Sequence, residues 1–543
     1  MQVVDAIAHA MKAEGIDILF AYPVNPLIEA AAKLDIRTVI VRQERIGLHM
    51  ADAYSRLSSG DKIGVFCMQH GPGAENAFGG VAQAYSESVP ILVIPAGYPR
   101  RLAHYYPNFN STLNMQHVTK WAEPITMGKA VPEIMRRAFF QLRNGRPGPV
   151  MIEVPLDVMG EEVPEGWVYE PAFSAKSGPN PADIDAAAAV LARAERPVIY
   201  AGQGVHYGKA WAELKMLAET WNIPVTTSIE GKSAFPEDNP LSLGSGGRAN
   251  PRPVKHYLAQ ADVILGVGVS FALTAFGVPM PADKTIIHAT LDPMDLNKDV
   301  PAQHGLIGDA KLTLTALNTA MENFDKAPAA ARAGEPEKIA ALRQAWMSEW
   351  LPKLTNNEAP INPYRVVAEL DRLVDKDNVV ITHDAGSPRD QTTPFWTATT
   401  PLSYIGWGKT TQLGYGLGLA MGAKLAAPEK LCINVWGDAA IGFTGMDFET
   451  AVRENIPILS ILFNNFSMAI ELPIMQVSTE KYRSTDISGN YADMAKAFGG
   501  YGERVTDPNE IVAALERGIE ATRNGQAALL EFITDQEITI SNE

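Results

Sequence analysis

Residues 435–468 run VWGDAAIGFTGMDFETAVRENIPILSILFNNFSM, and they decide the fold. An apolar run, INVW, leads into Gly437-Asp438, and a helical stretch follows. A second apolar run, ILSILF, ends at Asn464-Asn465. Two buried strands joined by a helix make a right-handed unit that sets the C-terminal ends of the strands side by side. Asp438 and Asn465, 27 positions apart, stand at those two ends. Ligands of open α/β sheets bind along that edge.

Outward from this unit the same alternation continues. IDILFAY, TVIVRQ, IGVFCM, ILVIPA and PVMIEV come first. PVIYAGQG, IPVTTS, VILGVGVS and TIIHATL follow, and NVVITHDAG, LCINVWGD and ALLEFIT close the chain. Short, fully apolar strands separated by helical periodicity argue for parallel sheets covered on both faces. A polar, Pro-containing stretch from Gly160 to Pro181 divides the first block from the second. The segment DKAPAAARAGEPEK (325–338) is a candidate second linker. The expectation is three α/β domains of similar size, 1–165, 182–325 and 350–543, with mainly parallel sheets flanked by helices and no short repeat. A chain of 543 residues needs several cores of that kind.

Composition narrows the function classes. The formal charge is −16, with 62 acidic and 46 basic residues, which disfavours a nucleic-acid partner. No stretch approaches the roughly 20 apolar residues that span a bilayer, and the N-terminal MQVVDAIAHAMKAEG lacks the apolar centre of a signal peptide. The only cysteines, Cys67 and Cys432, lie in strand-like runs, so buried thiols in a reducing compartment, the cytoplasm, are expected.

Taken singly, Gly-Asp caps a helix and Asn-Asn makes a turn. Their joint placement at neighbouring strand ends brings a carboxylate and an amide oxygen together, a donor set for a hard cation such as Mg²⁺ with phosphate oxygens as further partners. Here the chain resembles the thiamine-diphosphate enzymes that include acetolactate synthase, pyruvate oxidase and the 2-oxo acid decarboxylases. Their signature is Gly-Asp-Gly, some 25 to 30 residues, then Asn-Asn. The resemblance implies that Asp438, Asn465 and the carbonyl of Ser467 bind the metal, with Gly437, Ala439, Ala440 and Ile470 along the cofactor. Ala439 stands where the signature has Gly, and its Cβ restricts the backbone there.

The same resemblance covers other stretches. In GKTTQLGYG (408–416), Leu413 is the implied apolar wedge that bends the cofactor, and the carbonyl of Thr411 the implied acceptor for its amino group. In HDAGSPRD, Gly386 and Ser387 match positions that cradle the diphosphate. In TVIVRQERIGLHMADAYSR (38–56), Glu44 takes the place of the glutamate that bonds N1′ of the aminopyrimidine, where a desolvated carboxylate makes one charge-assisted hydrogen bond count. An acid at a helix start is otherwise an ordinary macrodipole partner. In the family, Glu44 and the metal site come from different subunits, implying a homodimer or homotetramer with its active sites at the interface.

The substrate is less sharply drawn. MQHGPGAENAF resembles a Ser-Gly-Pro-Gly-x-x-Asn stretch, with Gln69 and His70 replacing small residues above the reacting carbon. Asn25, in AYPVNP, matches a position near the bound cofactor and substrate, and Glu471 matches a glutamate that assists decarboxylation and protonation. The implied reaction is decarboxylation of a small 2-oxo acid, then addition of the resulting enamine to a second carbonyl compound. Simple decarboxylation to an aldehyde, a benzaldehyde-lyase-like C–C cleavage and a non-catalytic homologue are the alternatives. Gly202-Gln203-Gly204 and the His288–Asp292 strand end give the central block a nucleotide-fold layout. Some relatives hold FAD there and others leave it empty. A lone Gly-x-Gly does not favour a retained FAD.

Overall fold

A computed structural model describes residues 1–542 of the chain. Each of three sheets has six strands, and every strand pair is parallel. In the first, the spatial order is Arg37–Ile40, Ile18–Ala21, Gly64–Met68, Ile91–Gly97, Val150–Pro155 and Trp121–Pro124. Numbered along the chain that is 2-1-3-4-6-5. The third sheet, from Val379–His383 to Ala528–Ile533, repeats this order. The central sheet, from Pro197–Ala201 to His304–Ile307, has the order 3-2-1-4-5-6 of a dinucleotide-type fold.

The first and third domains share one core. Helix Glu44–Leu57 lies against helix Tyr415–Ala426, and their apolar residues join a single cluster that reaches both sheets. The first nine residues of helix Tyr415–Ala426, YGLGLAMGA, are apolar all round and buried, as a helix stretch enclosed on every side must be. Glycine sets the approach: a Cβ on Gly422 would lie 2.2 Å from the carbonyl oxygen of Met50, and one on Gly418 would lie 2.4 Å from the His49 Cβ. A buried ion pair, Asp52–Arg56, sits in this seam. Arg56 also donates to the Gly406 carbonyl at 2.8 Å, tying the first domain to the third.

The stretch from 160 to 180 carries no helix or strand. It is fastened to the first domain by Glu14, which accepts from the Tyr169 hydroxyl at 2.6 Å and the Ala172 amide at 2.7 Å. The segment 325–338 corrects the linker expectation. It forms helix Ala327–Ala331 and the start of helix Glu335–Leu354. Its prolines stand in the first turns, where a missing N–H costs nothing, and alanine favours the helix. Arg332 pins it to the central domain through the carbonyls of Ala194 and Trp221, both at 2.8 Å. Among the described residues no helix is long and apolar enough to cross a membrane.

Candidate active site

Strand Leu431–Gly437 and strand Leu459–Asn464 pair in register, and each ends at the same sheet edge. Asp438 follows the first. Its Oδ1 accepts from the Ala439 amide at 2.9 Å, and its Oδ2 accepts from the amides of Asn465 at 3.1 Å and Ser467 at 3.2 Å. The Asn465 Oδ1 accepts from the Ser467 amide at 3.0 Å. The turn that allows this puts Phe466 at φ 57°, a left-handed conformation uncommon for a bulky residue. Burial pushes the Asp438 carboxyl up to about 6, partly offset by backbone N–H donors, that of Ser467 first. A cation would lift that desolvation penalty. The Ser467 hydroxyl is buried with no hydrogen-bond partner among the described residues. An all-oxygen set with a polar atom left over fits Mg²⁺ and a diphosphate oxygen. No group of three His, Cys, Asp or Glu side chains converges among the described residues, as a zinc site would require. Ala439 is helical with negative φ, so its Cβ meets no backbone penalty.

One cavity of about 360 Å³ opens at this edge. Gly386, Ser387, Thr411, Leu413, Gly437, Asp438, Ala439, Ala440, Asn465, Ser467, Ile470 and Glu471 all line it. Gly386 has φ +82°, which turns the chain from strand Val379–His383 into the short helix that begins at Ser387. Leu413 is half-buried and packs against the main core. Asp384 fixes the turn beyond it, accepting from the amides of Gly414 and Gly416, each at 2.9 Å.

Glu44, Gln69 and His70 do not line that cavity. They form a second group on the first domain. Glu44 is the first residue of its helix and 4% exposed. A Cβ on Gly73 would lie 3.4 Å from Glu44 Oε1 and 3.1 Å from Gln69 Cβ, so both flank one glycine. Gln69 is exposed. His70 is half-buried, edge-on to Tyr98 with ring centroids 4.6 Å apart; burial lowers its pKa. Asn25 opens helix Asn25–Ala32 and is exposed.

Several lining or supporting residues escaped the sequence reading. Asn76 donates to Glu44 Oε2 at 3.2 Å; it is the Asn of the Gly-Pro-Gly-x-x-Asn stretch, whose contact with Glu44 the motif does not state. Arg248 and Phe276, from loops of the central domain, form a wall of the Asp438 cavity, joined by a 2.8 Å backbone bond from the Arg248 amide to the Phe276 carbonyl. The Arg248 side chain is exposed and has no ion pair among the described residues. Arg389 lies over the Phe276 ring at 4.1 Å, is held by Asp390, and keeps one buried nitrogen, Nη1, without a partner among the described residues. Nothing local in GSGGRANP or GSPRD announces either arginine.

A second cavity, about 310 Å³, opens at the strand edge of the central sheet, over Gly204 and Gly268. A Cβ on Gly204 would lie 2.6 Å from the Gly268 Cα, the close backbone approach of a nucleotide fold. Its basic side chains are largely neutralised: Arg143 pairs with Glu14, Arg146 with Asp295, Lys176 with Asp309 and Lys209 with Asp61. Of the basic side chains there, Lys409 alone makes no ion pair among the described residues.

The chain matches three domains of known type: thiamine pyrophosphate enzyme N-terminal binding domain over residues 1–122, central domain over 184–317 and C-terminal binding domain over 384–532. It is 30% identical to the probable acetolactate synthase large subunit of Methanocaldococcus jannaschii, covering 98% of this chain and 92% of the relative. It is 26% identical to the acetolactate synthase isozyme 3 large subunit of Escherichia coli K12, with 98% and 94% covered. It is 28% identical to glyoxylate carboligase of Escherichia coli O157:H7, with 95% and 90% covered. A fold of three parallel sheets, a cofactor edge in the third and this similarity along the whole length place the chain in the family of thiamine-diphosphate-dependent, acetolactate-synthase-like enzymes that act on 2-oxo acids.

Proposed function

We propose that this enzyme decarboxylates a small 2-oxo acid and joins the remaining fragment to a second carbonyl compound, with Mg²⁺ between protein and diphosphate. The observation that carries the reading is the Asp438 cavity. It gathers an oxygen donor set, an apolar wedge and two arginines, one of them free of any ion pair among the described residues.

Thiamine diphosphate, when bound, supplies a nucleophilic carbon and an electron sink for loss of carbon dioxide. The chain does the rest. Asp438, Asn465 and the Ser467 carbonyl would hold the metal. Gly386 and Ser387 would admit the diphosphate, and Leu413 would be the apolar wedge against the cofactor. Glu44 holds a proton at the pyrimidine N1′ in a buried site where its charge is weakly screened. Arg248, backed by Arg389, receives the substrate carboxylate; a planar guanidinium matches a carboxylate fork. Gln69 and His70 orient the carbonyls, with Asn25 at the rim.

In this proposal the working site takes Glu44 from a partner subunit, in a homodimer or homotetramer; that Glu44 does not line the Asp438 cavity of its own chain supports it. Phe443, in helix Asp438–Thr444, and Met446, just beyond it, are both about half exposed and would supply apolar surface for that contact. The two cysteines are free and buried, which suits the cytoplasm. No step uses the central cavity, and FAD is not part of the proposal.

A second reading has a specific support. Glu471 lines the same cavity and could deliver the proton that turns the reaction into simple decarboxylation. The experiment is turnover on a panel of 2-oxo acids, with and without aldehydes, in thiamine diphosphate and Mg²⁺. Acetohydroxy acids or acyloins support the proposal. Free aldehyde as the sole product replaces it with the second reading.

A further inference from the structure

The loop 408–413 carries Thr411 and Leu413 into the cofactor cavity. It is not held by its own domain alone. Helix Pro72–Ser86 of the first domain, with its C-terminal neighbour Glu87, presents Gly79, Gln83 and Glu87 to it, spaced by four and therefore on one helix face. Gly79 makes room: a Cβ there would lie 2.4 Å from Gln412 Nε2. Gln83 Oε1 accepts from the Thr410 hydroxyl at 2.7 Å and the Gln412 amide at 3.3 Å, and its Nε2 donates to the Thr410 carbonyl at 3.3 Å. Glu87 Oε1 accepts from the amides of Gly408 at 3.1 Å and Lys409 at 2.9 Å, and from Gln83 Nε2 at 3.2 Å. Gln83 is 1% and Glu87 0% exposed.

Among the described residues, no backbone carbonyl accepts from the amides of Gly408, Lys409 or Gln412. Two buried side chains therefore carry most of the loop's hydrogen bonding on this side, and a buried amide left without an acceptor is costly. Asp384 anchors the other side at Gly414 and Gly416. The loop is thus stretched between two acceptor sets in different domains, with Thr411 and Leu413 at the span between them.

We propose that Gln83 and Glu87 are positioning residues for the cofactor loop: they touch neither cofactor nor substrate and act by fixing where Thr411 and Leu413 stand. This rests on reading those two residues as cofactor contacts.

The test uses the full chain with Gln83→Ala, Glu87→Ala and Glu87→Gln. Two quantities are read: hydrogen exchange in a peptide covering 407–414, and thiamine diphosphate affinity by titration calorimetry in Mg²⁺ buffer. Both alanine variants should exchange that peptide at least about tenfold faster and bind at least about tenfold more weakly, the scale of one or two lost buried acceptors. Glu87→Gln should restore both to within about threefold, because it keeps an Oε1 acceptor for the amides of Gly408 and Lys409. Glu87→Asp, which retracts the carboxylate by one methylene, should match Glu87→Ala in direction if the latter does not fold. Wild-type exchange or wild-type affinity in the alanine variants, or a failure of Glu87→Gln to rescue, overturns the inference. Absence of binding by the wild-type chain overturns the cofactor reading beneath it, and is told apart because it needs no variant.

Discussion

Replacing Glu44 with Gln preserves shape and removes one charge. In the structure that carboxylate is 4% exposed, has no salt bridge, and has Asn76 as its one side-chain hydrogen-bond partner among the described residues, at 3.2 Å. Nothing nearby would compensate for the loss. At an effective dielectric of about 20, a unit charge at about 4 Å from a developing opposite charge is worth ~4 kcal/mol, or roughly a thousandfold in rate. That sits within the ~10²–10⁴-fold range of general acid–base groups. The expected outcome for Glu44→Gln is a kcat lower by about 10²–10⁴-fold for carbon dioxide release from a 2-oxo acid. Thiamine diphosphate affinity should change by less than about tenfold, because Asp438, Asn465 and the diphosphate cradle are untouched. Carbon dioxide release at saturating cofactor and calorimetric titration give the two numbers. A kcat within about threefold of wild type at full cofactor occupancy would refute the role of Glu44.

Three further outcomes are expected. Chelation of divalent metal should abolish thiamine diphosphate binding, restored by Mg²⁺, and Asp438→Asn should need far more Mg²⁺ to reach the same occupancy; metal-independent binding in calorimetry would count against the oxygen set. Arg248→Ala should raise KM for the 2-oxo acid by about 10–100-fold, the weight of a charge-assisted contact, while leaving cofactor affinity within about threefold. Steady-state kinetics would show it, and an unchanged KM would remove Arg248 from substrate binding. Burial pushes the Glu87 carboxyl from 4.5 up to about 7, with Glu230 adding to the rise and Lys409 and Arg56 opposing it. The folded chain then holds this proton to higher pH than the unfolded one, so the contribution of this carboxyl to stability falls as pH rises from about 4.5 to 7 and is flat above. Glu87→Gln should accordingly exceed wild type by ~1–3 kcal/mol at pH 8 in urea unfolding, with the gap closing by about pH 5.

The fold was legible because fully apolar strands alternating with helices leave few alternatives to buried parallel sheets, and because Asp438 and Asn465 mark two strand ends. What stayed hidden was relational. The first and third sheets share a strand order, yet no short repeat betrays it, since topology survives when side-chain identity does not. The segment 325–338 has a linker's composition, but its prolines fall at helix starts, which only the neighbouring turns reveal. On the site side, the residues lining the Asp438 cavity from the third domain follow motifs that are local in sequence. Arg248 and Phe276 act through space from loops without a motif, and Asn76 belongs to a motif that does not disclose its contact with Glu44. Gln83 and Glu87 sit in a stretch whose periodicity looks like any helix against a sheet, and their partners lie more than 300 positions away.

The central claim is that each working site joins the Asp438 cavity of one chain to Glu44 of its partner. It can be tested by mixing two inactive proteins, Glu44→Gln and Asp438→Asn, after dissociation and reassembly. If the site spans two subunits, each mixed dimer has one site with both native residues and one with neither. Half the dimers in an equal mixture are mixed, so activity should return to about a quarter of wild type. Activity that stays at the level of the parent variants, with mixed dimers shown to have formed, would place both residues in one chain's site and contradict the account.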